Sequence, residues 1–145
     1  MIKGFIISLK LSARLIAKNY PKCEDIQTYS CFVMDSAGFL VMHQSFMDPS
    51  ATKHEIERVH IAEKEKHVAE DMISKGYLVK KECRNLEDIK EQTFYEVNLP
   101  QSGEVDATDN VGSCTKYQIG KITGTNAYLG KVLHMINRVH CVQYF

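Results

Sequence analysis

Apolar residues return every three or four positions through the start of the chain: Ile2, Phe5, Ile6, Leu9, Ala13, Ile16, Ala17 and Tyr20. That spacing gathers them into one stripe on a helix, which Pro21 ends because proline has no N–H to carry the ladder on. The pattern predicts an N-terminal helix over 1–22 whose stripe packs on a sheet. Lys3, Lys10, Arg14 and Lys18 fill other positions, and a basic face of that kind also suits a helix lying on a membrane surface.

The period then changes. Two short apolar runs between Cys31 and His43 hinge on Asp35-Ser-Ala-Gly38. An Asp that bonds its own backbone and a Gly that tolerates positive φ make this a β-hairpin with Asp35 and Gly38 as its turn residues. Neither run alternates cleanly, so both faces of the hairpin are expected to be covered. From Asp48-Pro49 to Gly76 the chain is charged, with Ile56, Val59 or His60, Glu63, Val68, Met72 and Ile73 at approximate helical steps. Tyr77 to Val79 begins a strand, Cys83 to Lys90 reads as loop or short helix, and Thr93 to Leu99 is strand-like. A polar loop is expected from Pro100 to Ser113. Two last strands, Lys116 to Ile122 and Asn126 to Leu133, turn at Thr123-Gly-Thr125, with Gly120 and Gly130 marking bulges or close approaches.

Composition narrows the function classes. A chain of 145 residues with 44% hydrophobic content suits one domain with its own core. Eighteen basic residues balance eighteen acidic ones, leaving no electrostatic footprint for nucleic acid. No apolar run is long enough to span a bilayer. The first residues lack the small-residue cleavage site of a signal peptide, so export would rest on a longer precursor.

Five cysteines at positions 23, 31, 83, 114 and 141, none in a CxxC pair, point to disulfides rather than zinc. Pairing Cys83 with Cys114 closes a long loop and would stabilise by about 3–4 kcal/mol in the chain-entropy model; Cys23 with Cys31 is the second pairing. Cys141 is left over. His54, His60 and His67 raise a metal site, but on one helix positions 60 and 67 stand about 10 Å apart, with Glu63 between them and no HExxH pattern. No metal or other cofactor is assigned. No nucleophile elbow, phosphate loop or dinucleotide fingerprint occurs, so no catalytic residue is assigned either.

The stretch from Val33 to His43, a strand, an Asp-x-x-Gly turn, a second strand and a His, is similar to the opening of Cache domains, extracellular relatives of the PAS fold. Downstream, the blocks from His60 to Ile73, Val79 to Cys83, Gly112 to Tyr117 and Gly124 to Gly130 resemble, in the same order, the family of von Willebrand factor A and Cache domain-containing proteins, relatives of the α2δ auxiliary subunits of calcium channels. No metal-ion motif of the von Willebrand A type, Asp-x-Ser-x-Ser, is present.

The resemblance implies an α+β, PAS-like Cache module, with a long N-terminal helix packed on an antiparallel sheet. The module would span 1–145 as one domain or a fragment of one, with helix 1–22, sheet and helical insertion 30–133 and an unassigned tail 134–145, while the resemblance itself covers about 30–132. It further implies a non-catalytic module on the extracellular side of the membrane, part of a longer anchored glycoprotein, whose partner is a channel or receptor subunit. Small-ligand sensing is the alternative, with Tyr95, Tyr117 and Tyr128 as candidate pocket residues or else as sheet-packing residues; a metal-dependent enzyme, raised by the histidines, is the remote alternative. The sequence has no Trp, which departs from amino-acid-binding Cache domains.

Overall fold

The Asp35 carboxylate closes the first hairpin. Its Oδ1 accepts the backbone N–H groups of Ala37 and Phe39, both at 2.9 Å, and Gly38 takes a φ of +84°, a left-handed conformation that glycine adopts without steric cost. The computed structural model describes residues 23, 28–47, 50, 58–84, 91–108 and 115–133. In it this turn joins β1 (Tyr29–Met34) to β2 (Leu40–His43), the hairpin expected from the sequence. Val33 faces Met42 while Met34 faces Leu40. Val41 is therefore an extra residue in β2, and this bulge turns its side chain to solvent, 54% exposed.

Among the described residues, a 3-10 turn at Gln44–Met47 is followed by two short helices, α1 (Ile61–Lys64) and α2 (Lys66–Ser74). Five strands follow: β3 (Leu78–Arg84), β4 (Glu91–Val97), β5 (Glu104–Thr108), β6 (Lys116–Lys121) and β7 (Tyr128–Leu133). The large sheet has the order β2-β1-β7-β6-β5, with every pair antiparallel, and β3 with β4 forms a separate two-stranded ribbon.

One face of the large sheet carries the core. Phe32, Met34, Tyr117, Ile119 and Val132 point to it and pack with Ile61, Val68, Ala69 and Met72 of the helices. Burial of this kind removes apolar surface from water at about 25 cal/mol per Å² and supplies most of the driving force for folding. Cys31, Val33 and Met42 alternate onto the other face and are buried too, so β1 is covered on both sides, as its unbroken apolar run implied.

The architecture differs from the one expected. Among the described residues the fold is rich in antiparallel sheet, and its helices are pieces of four and nine residues; it is not a long helix packed on a sheet. Positions 1–22, where that helix was placed, and the tail 134–145 lie outside the described residues. A periodic apolar stripe specifies only a helix's buried face, whereas what covers this core is decided by which elements the strand connections bring over it.

Smaller corrections follow the same logic. Of the segment expected to be helical, positions 48, 49 and 51–57 lie outside the described residues; in the rest, Arg58 to His60 are not helical, α1 begins at Ile61, and the chain breaks at Glu65 (φ −121°, ψ 61°) before α2. β5 lies within the stretch expected as polar loop, its single buried side chain being Val105. β3 continues to Arg84, into what was expected as loop. Neither Gly120 nor Gly130 is a bulge, since the β6–β7 register is unbroken through both. Gly130 is a close approach instead: a Cβ there would lie 2.1 Å from Cζ of Phe32.

α2 ends as its sequence predicts. Gly76 takes a φ of +77°, the Tyr77 N–H reaches back to the Met72 carbonyl at 2.8 Å, and the Gly76 N–H to that of Ile73 at 3.1 Å. This is a Schellman close, which satisfies carbonyls that the helix leaves open.

Candidate functional site

His60 ties three elements together. Its Nδ1 accepts the N–H of Ala62 at 3.2 Å, so the proton sits on Nε2, which donates to the Ala37 carbonyl in the first turn at 2.9 Å. The Glu63 carboxylate returns to the His60 N–H at 3.3 Å, completing a capping box with histidine in the place usually taken by Ser or Thr. Phe39 meets the same imidazole edge-on at 5.2 Å, and Tyr95 of β4 lies over it at 4.7 Å. The Arg58 guanidinium stands 5.7 Å from the centre of Phe39, on a residue whose φ is +52°. The sequence held one sign of this centre, the His-x-x-Glu spacing ahead of an apolar run, but with histidine as the cap it did not read as a helix start.

A second histidine repeats the device. His43, the last residue of β2, accepts the Ser45 backbone N–H at Nδ1 (3.1 Å) and thereby caps the 3-10 turn, while its Nε2 donates to Oε1 of Glu65 at 3.0 Å. Ser30 Oγ donates to the same carboxylate oxygen at 3.1 Å. The break at Glu65 turns its side chain back toward β1 and β2. Ser45 Oγ also lies 2.8 Å from Nδ1, which gives a serine, imidazole and carboxylate in series, the outline of a nucleophilic relay. The imidazole's single Nδ1 lone pair is already engaged by the backbone N–H, so this chain of bonds serves as a cap and a brace.

The third polar centre is Asp71, almost wholly buried in α2. Lys75 Nζ donates to it at 2.6 Å, the Tyr117 hydroxyl of β6 donates to the same oxygen, and Lys75 also reaches the Thr108 carbonyl of β5 at 3.1 Å. A buried carboxylate is tolerated when it is paired and hydrogen-bonded in this way. It fixes α2 against the far strands of the sheet.

The β3–β4 ribbon is the most open part of the described structure. At its root, Leu78 and Val97 face each other and are buried. Beyond them Lys80, Lys81, Glu82, Gln92, Thr93 and Glu96 are exposed, and Phe94 is 42% exposed. Lys81 pairs with Glu96, and Lys80 stands 3.8 Å from Glu82. Exposed ion pairs contribute little stability, so these side chains are available to a partner.

The sequence-assigned residues are scattered through this frame. Asp35 and Gly38 form the turn beneath His60. Tyr117 is buried with its hydroxyl on Asp71, Tyr128 is half-buried at the margin of the core, and Tyr95 belongs to the ribbon root. Cys23 and Cys31 form a disulfide, with Cα atoms 5.7 Å apart. The pairing of Cys83 with Cys114 is not present: Cys83 is an exposed free thiol on the ribbon, and Cys114, like Cys141, lies outside the described residues. Loop length ranks closure entropies but does not bring two Cα atoms within bridging distance. His60 spends both ring nitrogens on protein partners and so is not placed to bind a metal with Glu63; His67 is exposed on α2, and His54 lies outside the described residues. No described helix is long and apolar enough to cross a membrane.

No family model matches the chain. It is 30% identical over 118 residues to a VWFA and cache domain-containing protein of Drosophila melanogaster, an alignment spanning 79% of this chain and 8% of that much longer relative. This similarity supports a Cache-region fragment of the VWFA and cache domain-containing protein family.

Proposed function

We propose that this chain is a non-catalytic, extracellular interaction module of an α2δ-like membrane protein, modulating voltage-gated calcium channels or other surface receptors by direct protein contact. The observation that carries the proposal is the contrast between the two halves of the polar inventory. The groups that could do chemistry, His43, His60, Glu65 and Asp71, are engaged by internal partners, whereas the projecting ribbon leaves its charged and aromatic side chains outside. Kinship with VWFA and cache domain-containing proteins supports an ectodomain role, and the Cys23–Cys31 bond suits an oxidising compartment.

The test is co-expression of the full-length membrane protein with a calcium channel, comparing the native chain with one whose exposed ribbon residues Lys80 and Phe94 are changed to Ser. Native protein is expected to raise current or surface channel, and the double substitution to reduce that effect. Channel behaviour unaltered by the native protein would sink the proposal.

A further inference from the structure

The hydrogen bonds at the root of the ribbon fix which way each backbone group of β4 points. Asn98 N–H donates to the Tyr77 carbonyl on the β3 side, at 2.8 Å, while Val97 N–H points away and donates to the Ser36 carbonyl in the first turn, also at 2.8 Å. The β3–β4 register is continuous from Leu78↔Val97 to Arg84↔Glu91. Alternation therefore turns the N–H and C=O groups of Phe94 and Gln92 toward β3, and those of Tyr95 and Thr93 toward the outer edge. On that edge the Tyr95 and Thr93 backbone groups have no partner among the described residues.

The ribbon's two edges differ. Beside the outer edge of β3 stand Lys80, Lys81 and Glu82, and lysine at an edge is a common guard against strand addition. The edge of β4 shows exposed Thr93 and exposed Phe94, and from Gln92 to Val97 its one charged side chain is the carboxylate of Glu96, which engages Lys81 through Oε2 and has Oε1 without a partner among the described residues.

We infer, resting on the interaction role proposed above, that the outer edge of β4 is a strand-addition site, and that its occupant is an extended segment of a partner protein carrying a basic residue two positions from an apolar one. Antiparallel addition sets the apolar residue across from Phe94 and the Lys or Arg across from Glu96, on the same face, because neighbouring strands place directly opposed side chains on one side of a sheet. Thr93 and Tyr95 each supply one donor and one acceptor to the incoming backbone. Charge complementarity to Glu96 selects a basic segment, and the lysines of β3 keep such a segment off the other edge.

The experiment uses the full 145-residue chain in oxidised form and a fluorescent peptide with the core Lys-Thr-Val-Thr-Thr, followed by polarisation. Saturable binding is expected, weakened at least tenfold by exchanging the peptide's Lys for Glu, and at least tenfold by N-methylating the peptide residue that donates to the Thr93 carbonyl. Thr93→Pro removes an outward N–H that the β3 ladder does not use, so it is expected to leave unfolding unchanged and abolish binding. Absence of saturable binding to the native chain overturns the inference, as does binding indifferent to N-methylation or to Thr93→Pro. A chain that dimerises through this edge in sedimentation, with Thr93→Pro restoring the monomer, replaces the partner by a second copy and also overturns it. Channel modulation that survives Thr93→Pro discards this edge while leaving the broader interaction role standing.

Discussion

Gly38 lies so close to His60 that a Cβ on it would sit 2.6 Å from the imidazole Nε2. The turn and the helix cap are thus built around each other, and the space between them is the width of a hydrogen atom. Gly38→Ala is expected to destabilise the chain by roughly 2–4 kcal/mol, combining the left-handed backbone penalty with displacement of His60. Urea unfolding measures it; a loss under about 0.5 kcal/mol would mean that the imidazole yields freely.

Reduction of the Cys23–Cys31 bond, or Cys23→Ser, is expected to cost about 2.5 kcal/mol from the short loop it closes. Peptide mapping without reductant should recover these two cysteines linked while Cys83 accepts an alkylating reagent in the native protein. A map joining Cys83 to another cysteine would contradict the structure.

Tyr117→Phe removes a donor from the buried Asp71 carboxylate and should cost about 1–3 kcal/mol. Asp71→Asn should cost more, since Lys75 loses its ion pair at the same time. In a double-mutant cycle the two substitutions are expected to couple by at least about 0.5 kcal/mol; simple additivity would show that the hydroxyl and carboxylate do not act together.

Gly130→Ala forces a methyl group into the ring of Phe32, and overpacking of this sort costs about 1–3 kcal/mol. Adding Phe32→Leu to Gly130→Ala should recover part of the loss, because the smaller side chain vacates that volume. A double variant no more stable than Gly130→Ala alone would rule out the ring as the cause.

Local chemistry made parts of this fold legible in advance. Asp35 and Gly38 announce their turn because the side-chain bond and the positive φ belong to four consecutive residues, and Gly76 marks a helix end for the same reason. The strands on either side of Thr123 to Thr125 could be placed from β-branched and aromatic content. What escaped depends on residues distant in sequence. Nothing near position 60 says that its imidazole will meet Ala37 and Tyr95. Nothing near position 65 says that a carboxylate will leave the helix pattern to reach His43. The free state of Cys83 likewise follows from its place on an outlying ribbon, which cysteine spacing does not encode. Val105, alone among polar neighbours, is too faint a signal to reveal β5.

The bond from Val97 N–H to the Ser36 carbonyl gives the ribbon a mechanical character. A two-stranded arm fastened at its base, with Tyr95 laid on His60 just beyond, acts as a cantilever. A displacement of β4 becomes torque at Ser36 and His60, the same two places where the first hairpin and the start of α1 are held, so the arm and the joint between sheet and helix are mechanically coupled.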